Sequence, residues 1–442
     1  MKKLHRRAYS ALLVALCLLF GMGVYVWRFA TQGRAWAEYT VGEVSVSQGS
    51  SVTGKITDRN GLVLADVSDG KRVFADDEAI RTALVHAVGD RERNIGTGAL
   101  TLFAKKLSSY SPVTGLDPDG ASVALSLDAE LCAAAYEALA GRKGAVGVMD
   151  YTTGEMLCMV SSPAFDPDVG IDPLDVQYDG AYLNRLISAA YPPGSTFKLV
   201  TLAAAIETMP DLYERRFTCD GTLTVDGNQI TCTAVHGSQT IEQALANSCN
   251  CAFAELALEL GGDTLALYAK QLGLTGRLTM DGTATAAGRF DAADDGSADL
   301  AWSGVGQSTD LVCPLAMLRL SAAIANGGTA AKPTMLLEGK TEKSNIMSTS
   351  TSDKLKAMMN YNVAAAYGQW NYPGLALCAK SGTAEVGDGT SHAWFTGFLD
   401  DEAHPWAFVV VIENGGGGAR VAGPVANEVL QKAIELFDGA DK

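Results

Sequence analysis

The chain opens on basic residues, Lys2, Lys3, Arg6 and Arg7, and then runs without a charge from Ala8 to Trp27 before Arg28 closes the stretch. About 20 residues rising about 1.5 Å each make a helix of roughly 30 Å, the thickness of a bilayer core. This run constrains the fold most, because such a segment is built to lie in lipid. It predicts a transmembrane anchor over 8–27 and a cytoplasmic tail over 1–7. The rest of the chain then lies outside, since basic flanks stay in the cytoplasm. The competing reading is a cleaved signal peptide, for which Ala35-Trp36-Ala37 offers a small-x-small site. The length of the apolar run favours a retained anchor.

Beyond the anchor the sequence reads as a tether over 28–50, a small β-rich module over 51–120 and a main domain over 121–442. Its 48% hydrophobic content and 47 glycines suit a globular core with many turns. A net charge of -16 argues against a nucleic-acid partner, whose phosphates need a basic face. Residues 51–65 predict a hairpin, with Asp58-Arg59-Asn60-Gly61 as its turn. The polar cluster 114–120 suits a domain boundary. Strands are expected at 123–127, 145–150 and 155–161, with a helix over 128–140 capped by Asp128 and stopped at Gly141. A helix-rich middle follows over about 195–330. Three more strands at 375–386, 393–399 and 407–413 and a final helix at 423–436 complete the pattern. Helix and strands at both ends with helices between predict an α+β fold: an antiparallel sheet flanked by helices, with an all-helical lobe inserted.

Nine cysteines are scattered, with no Cys-x-x-Cys pair and only five histidines. That spacing gives little support to a zinc site, so neither a metal nor a cofactor is expected. Cys219 and Cys232 flank a turn-rich segment and either pair as a hairpin staple in an oxidising compartment or stand as free thiols.

Three clusters carry chemistry. In Ser195-Thr196-Phe197-Lys198, preceded by Pro192-Pro193-Gly194, a helix is expected to start near Ser195. A spacing of three then puts Ser195 and Lys198 on one face. A serine hydroxyl needs a base to become a nucleophile, and a lysine of lowered pKa is one. The bland alternative is a capping serine and a solvated lysine. Ser248-Cys249-Asn250 follows a helical stretch; its hydroxyl suits proton relay and its amide suits orientation of a carbonyl. It could equally be a polar helix terminus. Lys380-Ser381-Gly382-Thr383 lies in a strand-like run, where glycine often marks close approach of a ligand. Its lysine and hydroxyls suit a carboxylate, although a lysine-protected edge strand reads the same way.

In order and type the three match the Ser-x-x-Lys, Ser-x-Asn and Lys-Thr/Ser-Gly set of penicillin-binding proteins and serine β-lactamases. The chain resembles a class B penicillin-binding protein. Further stretches carry the likeness: Gly54 to Gly61 (with Thr53 where the family usually has arginine), Gly144 to Pro163, Gly306-Gln307, Ala325 to Gly328 and His392 to Phe398. The resemblance implies a D,D-transpeptidase cross-linking peptidoglycan stem peptides and inhibited by β-lactams. In it Ser195 is the nucleophile and Lys198 its base. Ser248 relays the proton and Asn250 orients the substrate. Lys380, Ser381, Gly382 and Thr383 bind the substrate's terminal carboxylate, and the Ser195 and Thr383 amides form the oxyanion hole. It also implies a single-pass membrane protein working with other cell-wall synthesis proteins. The alternatives are a D,D-carboxypeptidase or β-lactamase, for which no Glu-x-x-Asn-type element is evident, and a non-catalytic scaffold or sensor. The intact motif residues argue against the last.

Overall fold

The structure, a computed structural model, describes residues 2–48, 54–69, 71–107, 110–111, 115–116, 121–172, 174–387 and 389–439. Helix α1 spans Lys2–Gln48, and within it His5–Thr31, which holds an 18-residue window of mean hydropathy 2.1, is long and apolar enough to cross a membrane. The tether expected over 28–50 is therefore helical as far as Gln48. It contains no proline, and the isolated Gly33 and Gly42 weaken a helix by only about 1 kcal/mol each.

The expected hairpin forms between β1 (Ile56–Thr57) and β2 (Val63–Ser68), and β3 (Lys71–Phe74) pairs onto β2. Asp58 builds the turn by accepting the amides of Asn60 and Leu62 on one oxygen, both at 2.8 Å. The beginning of the expected first arm, residues 51–53, lies outside the described residues, as does much of the 114–120 cluster. The strand expected at 123–127 is shorter and serves the smaller sheet: β4 (Val123–Ala124) pairs in parallel with β1, and Leu125 bridges to Leu336. Main-chain pairing thus joins the two regions that the sequence separates at 120.

Helix α2 (Ala129–Leu139) starts at Asp128, whose side chain accepts the Leu131 amide at 2.9 Å, and ends at Ala140 in the left-handed region. Strands β5 (Gly144–Asp150) and β6 (Met156–Ser162) follow. The inserted lobe begins with α3 (Lys198–Thr208). Four short strands come next: β7 (Phe217–Cys219), β8 (Thr222–Val225), β9 (Asn228–Thr231) and β10 (Gly237–Gln239). Strand β8 pairs with β9, and β7 with β10. The lobe is thus not all helical, because the Asp226-Gly227 turn, with both residues at positive φ, folds its chain into a hairpin. Helices α4 (Asn250–Leu260), α5 (Pro314–Ala325) and α6 (Thr349–Asn362) lead to β11 (Leu377–Glu385), β12 (Ser391–Leu399), β13 (Trp406–Ile412) and α7 (Gly418–Gly439).

The main sheet is antiparallel in the order β11-β12-β13-β5-β6. Helices α2 and α7 pack together and against the sheet, and α5 also packs on it. Covered on both faces, β5, β6 and β13 read as continuous apolar runs. Strand β11 is left at the edge, facing the lobe, and it carries Lys380 to Thr383. Helix α7 begins five residues before its expected start, with Pro424 inside it. Its first amide, that of Gly418, donates to Thr383 Oγ1 at 3.3 Å, a tertiary anchor that local sequence does not reveal.

Candidate active site

Ser195 sits in a single 3₁₀ turn, Gly194–Thr196, and Lys198 is the first residue of α3. The expected helix start is therefore split into a tight turn and an α-helix, yet a spacing of three still brings the side chains together: Lys198 Nζ lies 3.0 Å from Ser195 Oγ. The turn is clamped from three sides. Trp394 Nε1 donates to the Pro192 carbonyl at 3.0 Å, the Gly194 amide donates to the Gly306 carbonyl at 2.9 Å, and Thr196 Oγ1 donates to the Pro193 carbonyl at 2.7 Å. A side chain at Gly306 (φ 88°) would run into the Gly194 carbonyl. The neighbouring Gln307 reaches the Thr383 carbonyl at 3.4 Å.

Lys198 is fully buried. Its ammonium also donates to the Ser248 carbonyl at 2.6 Å and to Asn250 Oδ1 at 2.8 Å, and it lies 3.3 Å from Ser248 Oγ. Burial lowers its pKa to about 7, so an appreciable fraction is neutral, and basic, near neutral pH. Ser248 is held at φ 50°, a conformation that costs a non-glycine residue about 1–3 kcal/mol, between a short helix (Ile241–Ala246) and α4. Asn250 Nδ2 donates to the Thr231 carbonyl at 2.8 Å, which fixes the direction of its amide.

Lys380 is also fully buried, and its Nζ lies 3.0 Å from Ser248 Oγ. Burial first, and the Lys198 charge second, push its pKa well below the ordinary lysine value. The three clusters, far apart in sequence, thus share one hydrogen-bond network. Gly382 is needed because a Cβ there would stand 2.7 Å from the Pro193 carbonyl, separating β11 from the serine turn. Thr383 is exposed at the mouth, and Ser381 is half-buried.

Tyr367, outside all three motifs, also enters the site. It ends a π-helical turn, Val363–Tyr367, and its hydroxyl accepts from the Ser381 amide at 2.7 Å and from Asn362 Nδ2 at 2.9 Å. The same hydroxyl donates to Ser381 Oγ at 3.0 Å. No motif spacing points to it, because it comes from a different element folded under β11. Nor does a disulfide join Cys219 to Cys232: both thiols are free, and both turn toward Cys249, the N-cap of α4.

The penicillin-binding protein transpeptidase domain model matches residues 144–431. The peptidoglycan D,D-transpeptidase PbpA of Mycolicibacterium smegmatis is 27% identical over 486 residues, covering 97% of this chain and 98% of that protein. The D,D-transpeptidase domain of a peptidoglycan glycosyltransferase from Eggerthella lenta superimposes with a TM-score of 0.74 at 27% identity, covering 88% of this chain and 99% of that one. The penicillin G acyl-enzyme complex of penicillin-binding protein A from M. tuberculosis gives a TM-score of 0.71 at 26% identity, covering 87% of this chain and 100% of that one.

Proposed function

Because the chain belongs to the penicillin-binding protein transpeptidase family, we propose that it cross-links peptidoglycan stem peptides through an acyl-enzyme on Ser195. The observation that carries this reading is the 3.0 Å contact between Ser195 Oγ and Lys198 Nζ, a lysine whose pKa burial lowers to about 7.

Neutral Lys198 takes the Ser195 proton as Oγ attacks the penultimate D-alanine carbonyl of a stem peptide ending in D-Ala-D-Ala. The Ser195 and Thr383 amides receive the developing oxyanion; loss of one such donor typically costs on the order of 10²–10³ in rate. Ser248, within reach of both lysines, passes the proton to the leaving D-alanine amine. Asn250 holds Lys198 in place and orients the substrate amide. Lys380, Ser381 and Thr383 bind the terminal carboxylate; its arrival restores the Lys380 charge that burial disfavours. An amine from a neighbouring stem peptide then takes the acyl group. β-Lactams mimic the donor peptide and leave Ser195 acylated, in keeping with the penicillin G complex of the M. tuberculosis relative. Helix α1 anchors the chain as a single span, with the catalytic domain on the extracytoplasmic side, where the substrate and other cell-wall synthesis proteins work.

The test is intact-mass spectrometry of the detergent-solubilised full chain after exposure to benzylpenicillin. A lasting adduct on wild type and none on Ser195→Ala is expected. Fast turnover without an adduct would identify a hydrolase, and neither adduct nor turnover would end the enzymatic reading.

A further inference from the structure

Beside the Ser248-Cys249-Asn250 motif, four ligand atoms converge. They are Sγ of Cys219 at the end of β7, Sγ of Cys232 just after β9, the ring nitrogen of His236 just before β10, and Sγ of Cys249 at the start of α4, all within 4.8 Å of one another. Cys232 Sγ stands 3.8 Å from Cys249 Sγ and 3.5 Å from His236 Nδ1.

These separations discriminate between chemistries. A disulfide needs sulfurs about 2.05 Å apart, so any pair would have to move substantially to close one. A tetrahedral zinc ion with Zn–S of about 2.3 Å and Zn–N of about 2.0–2.1 Å places its ligands about 3.8 Å apart for S···S and about 3.5 Å apart for S···N. The two distances in the structure match both edges. Three sulfurs and one imidazole also make a donor set that suits zinc over magnesium or calcium, which prefer oxygen.

Two of the sulfurs receive main-chain donors that suit thiolates, and the Cys219 thiol donates to the Ala234 carbonyl at 3.6 Å. The Asn250 amide donates to Cys232 Sγ at 3.2 Å, and the Ala252 amide donates to Cys249 Sγ at 3.5 Å, as hydrogen bonds around bound sulfur commonly do. Main-chain bonds from His236 to Cys219 at 3.1 Å and from Cys232 to Gly221 at 2.9 Å hold the ligand-bearing segments in register.

We propose that Cys219, Cys232, His236 and Cys249 bind one zinc ion that braces the second motif against Lys198. On binding, the three S–H bonds break, three Zn–S bonds and one bond to His236 Nδ1 form, and three protons pass to solvent. The imidazole keeps its other proton on Nε2. The expectation of no metal is revised accordingly: it rested on Cys-x-x-Cys spacing, whereas these ligands come from separate elements joined by the fold. The four are positioning residues. Cys249 lies between Ser248 and Asn250, and Cys232 receives the Asn250 amide, so the metal would fix the oxygens that hold Lys198. It would also keep the thiols from oxidising outside the cell.

The inference stands apart from the acyl-enzyme reading, because metal content does not depend on acylation. The experiment is elemental analysis of the purified full chain in detergent, with non-reducing intact mass on the same sample. Roughly one zinc per chain is expected, with all cysteines carrying their full complement of hydrogens once the metal is stripped. Exchange into cobalt should give thiolate-to-cobalt charge-transfer absorption, which the double variant Cys219→Ser/His236→Ala should lack. If that variant fails to fold, the wild-type zinc content and cobalt spectrum still decide. Zinc far below one per chain after incubation with a zinc salt would overturn the proposal. So would a mass short by two hydrogens, which means a disulfide in place of the metal.

Discussion

Lys380 Nζ lies 3.0 Å from Ser248 Oγ, and Lys198 Nζ approaches the same oxygen at 3.3 Å. Two buried ammonium groups on one hydroxyl repel each other, so the network favours one of them neutral. The hydroxyl is the connection between nucleophile activation and carboxylate binding. Replacing Ser248 with Ala should keep the fold and lower the benzylpenicillin acylation rate constant by on the order of 10²–10⁴, the usual worth of a proton-transfer group.

The acylation rate should rise as pH increases through about 7, because Lys198 acts only in its neutral form and burial lowers its pKa to about that value. Lys198→Arg, which stays protonated, should be slow at every pH. Stopped-flow acylation across the range checks this; a flat wild-type profile would remove Lys198 from the role of base.

Gly382→Ala would place a Cβ 2.7 Å from the Pro193 carbonyl. The edge strand should move away from the serine turn and cost acylation on the order of 10²–10³, as loss of an oxyanion donor does, with little change in melting temperature. Parallel acylation and thermal-unfolding measurements check it.

Tyr367→Phe removes the acceptor for the Ser381 amide and the donor to Ser381 Oγ. An unsatisfied buried donor costs about 1–3 kcal/mol. Because the change falls beneath the carboxylate-binding strand, the loss should appear mainly in KM for a D-Ala-D-Ala peptide, with a smaller fall in kcat.

His404 joins Asp401 at 2.7 Å and Asp438, near the end of α7, at 3.0 Å. Burial opposes its charge, but the two carboxylates outweigh burial and raise its pKa. Its contribution is therefore full below the ordinary histidine value of about 6.5 and is lost as pH rises through the raised value. Asp438 is largely exposed, so the effect should stay below about 1 kcal/mol. The wild-type melting temperature should fall between pH 5.5 and 8.5 more than that of His404→Gln.

Local sequence settled a good deal. The uncharged run marked a membrane-compatible helix, Asp58 and Asp128 marked a turn and a cap, and continuous apolar runs marked buried strands. All of these depend on neighbours within a few residues. The serine–lysine pair was equally legible, since i and i+3 meet on any helical turn. Tertiary structure decided what depends on distant segments. It set the early start of α7 on Thr383, the hydroxyl of Tyr367 under Ser381, the use of Val123–Ala124 in the smaller sheet, and the meeting of Cys219, Cys232, His236 and Cys249. The sequence fixes which groups are present, but the low pKa of Lys198 exists only because the fold removes it from water, and burial is a property of the packed chain.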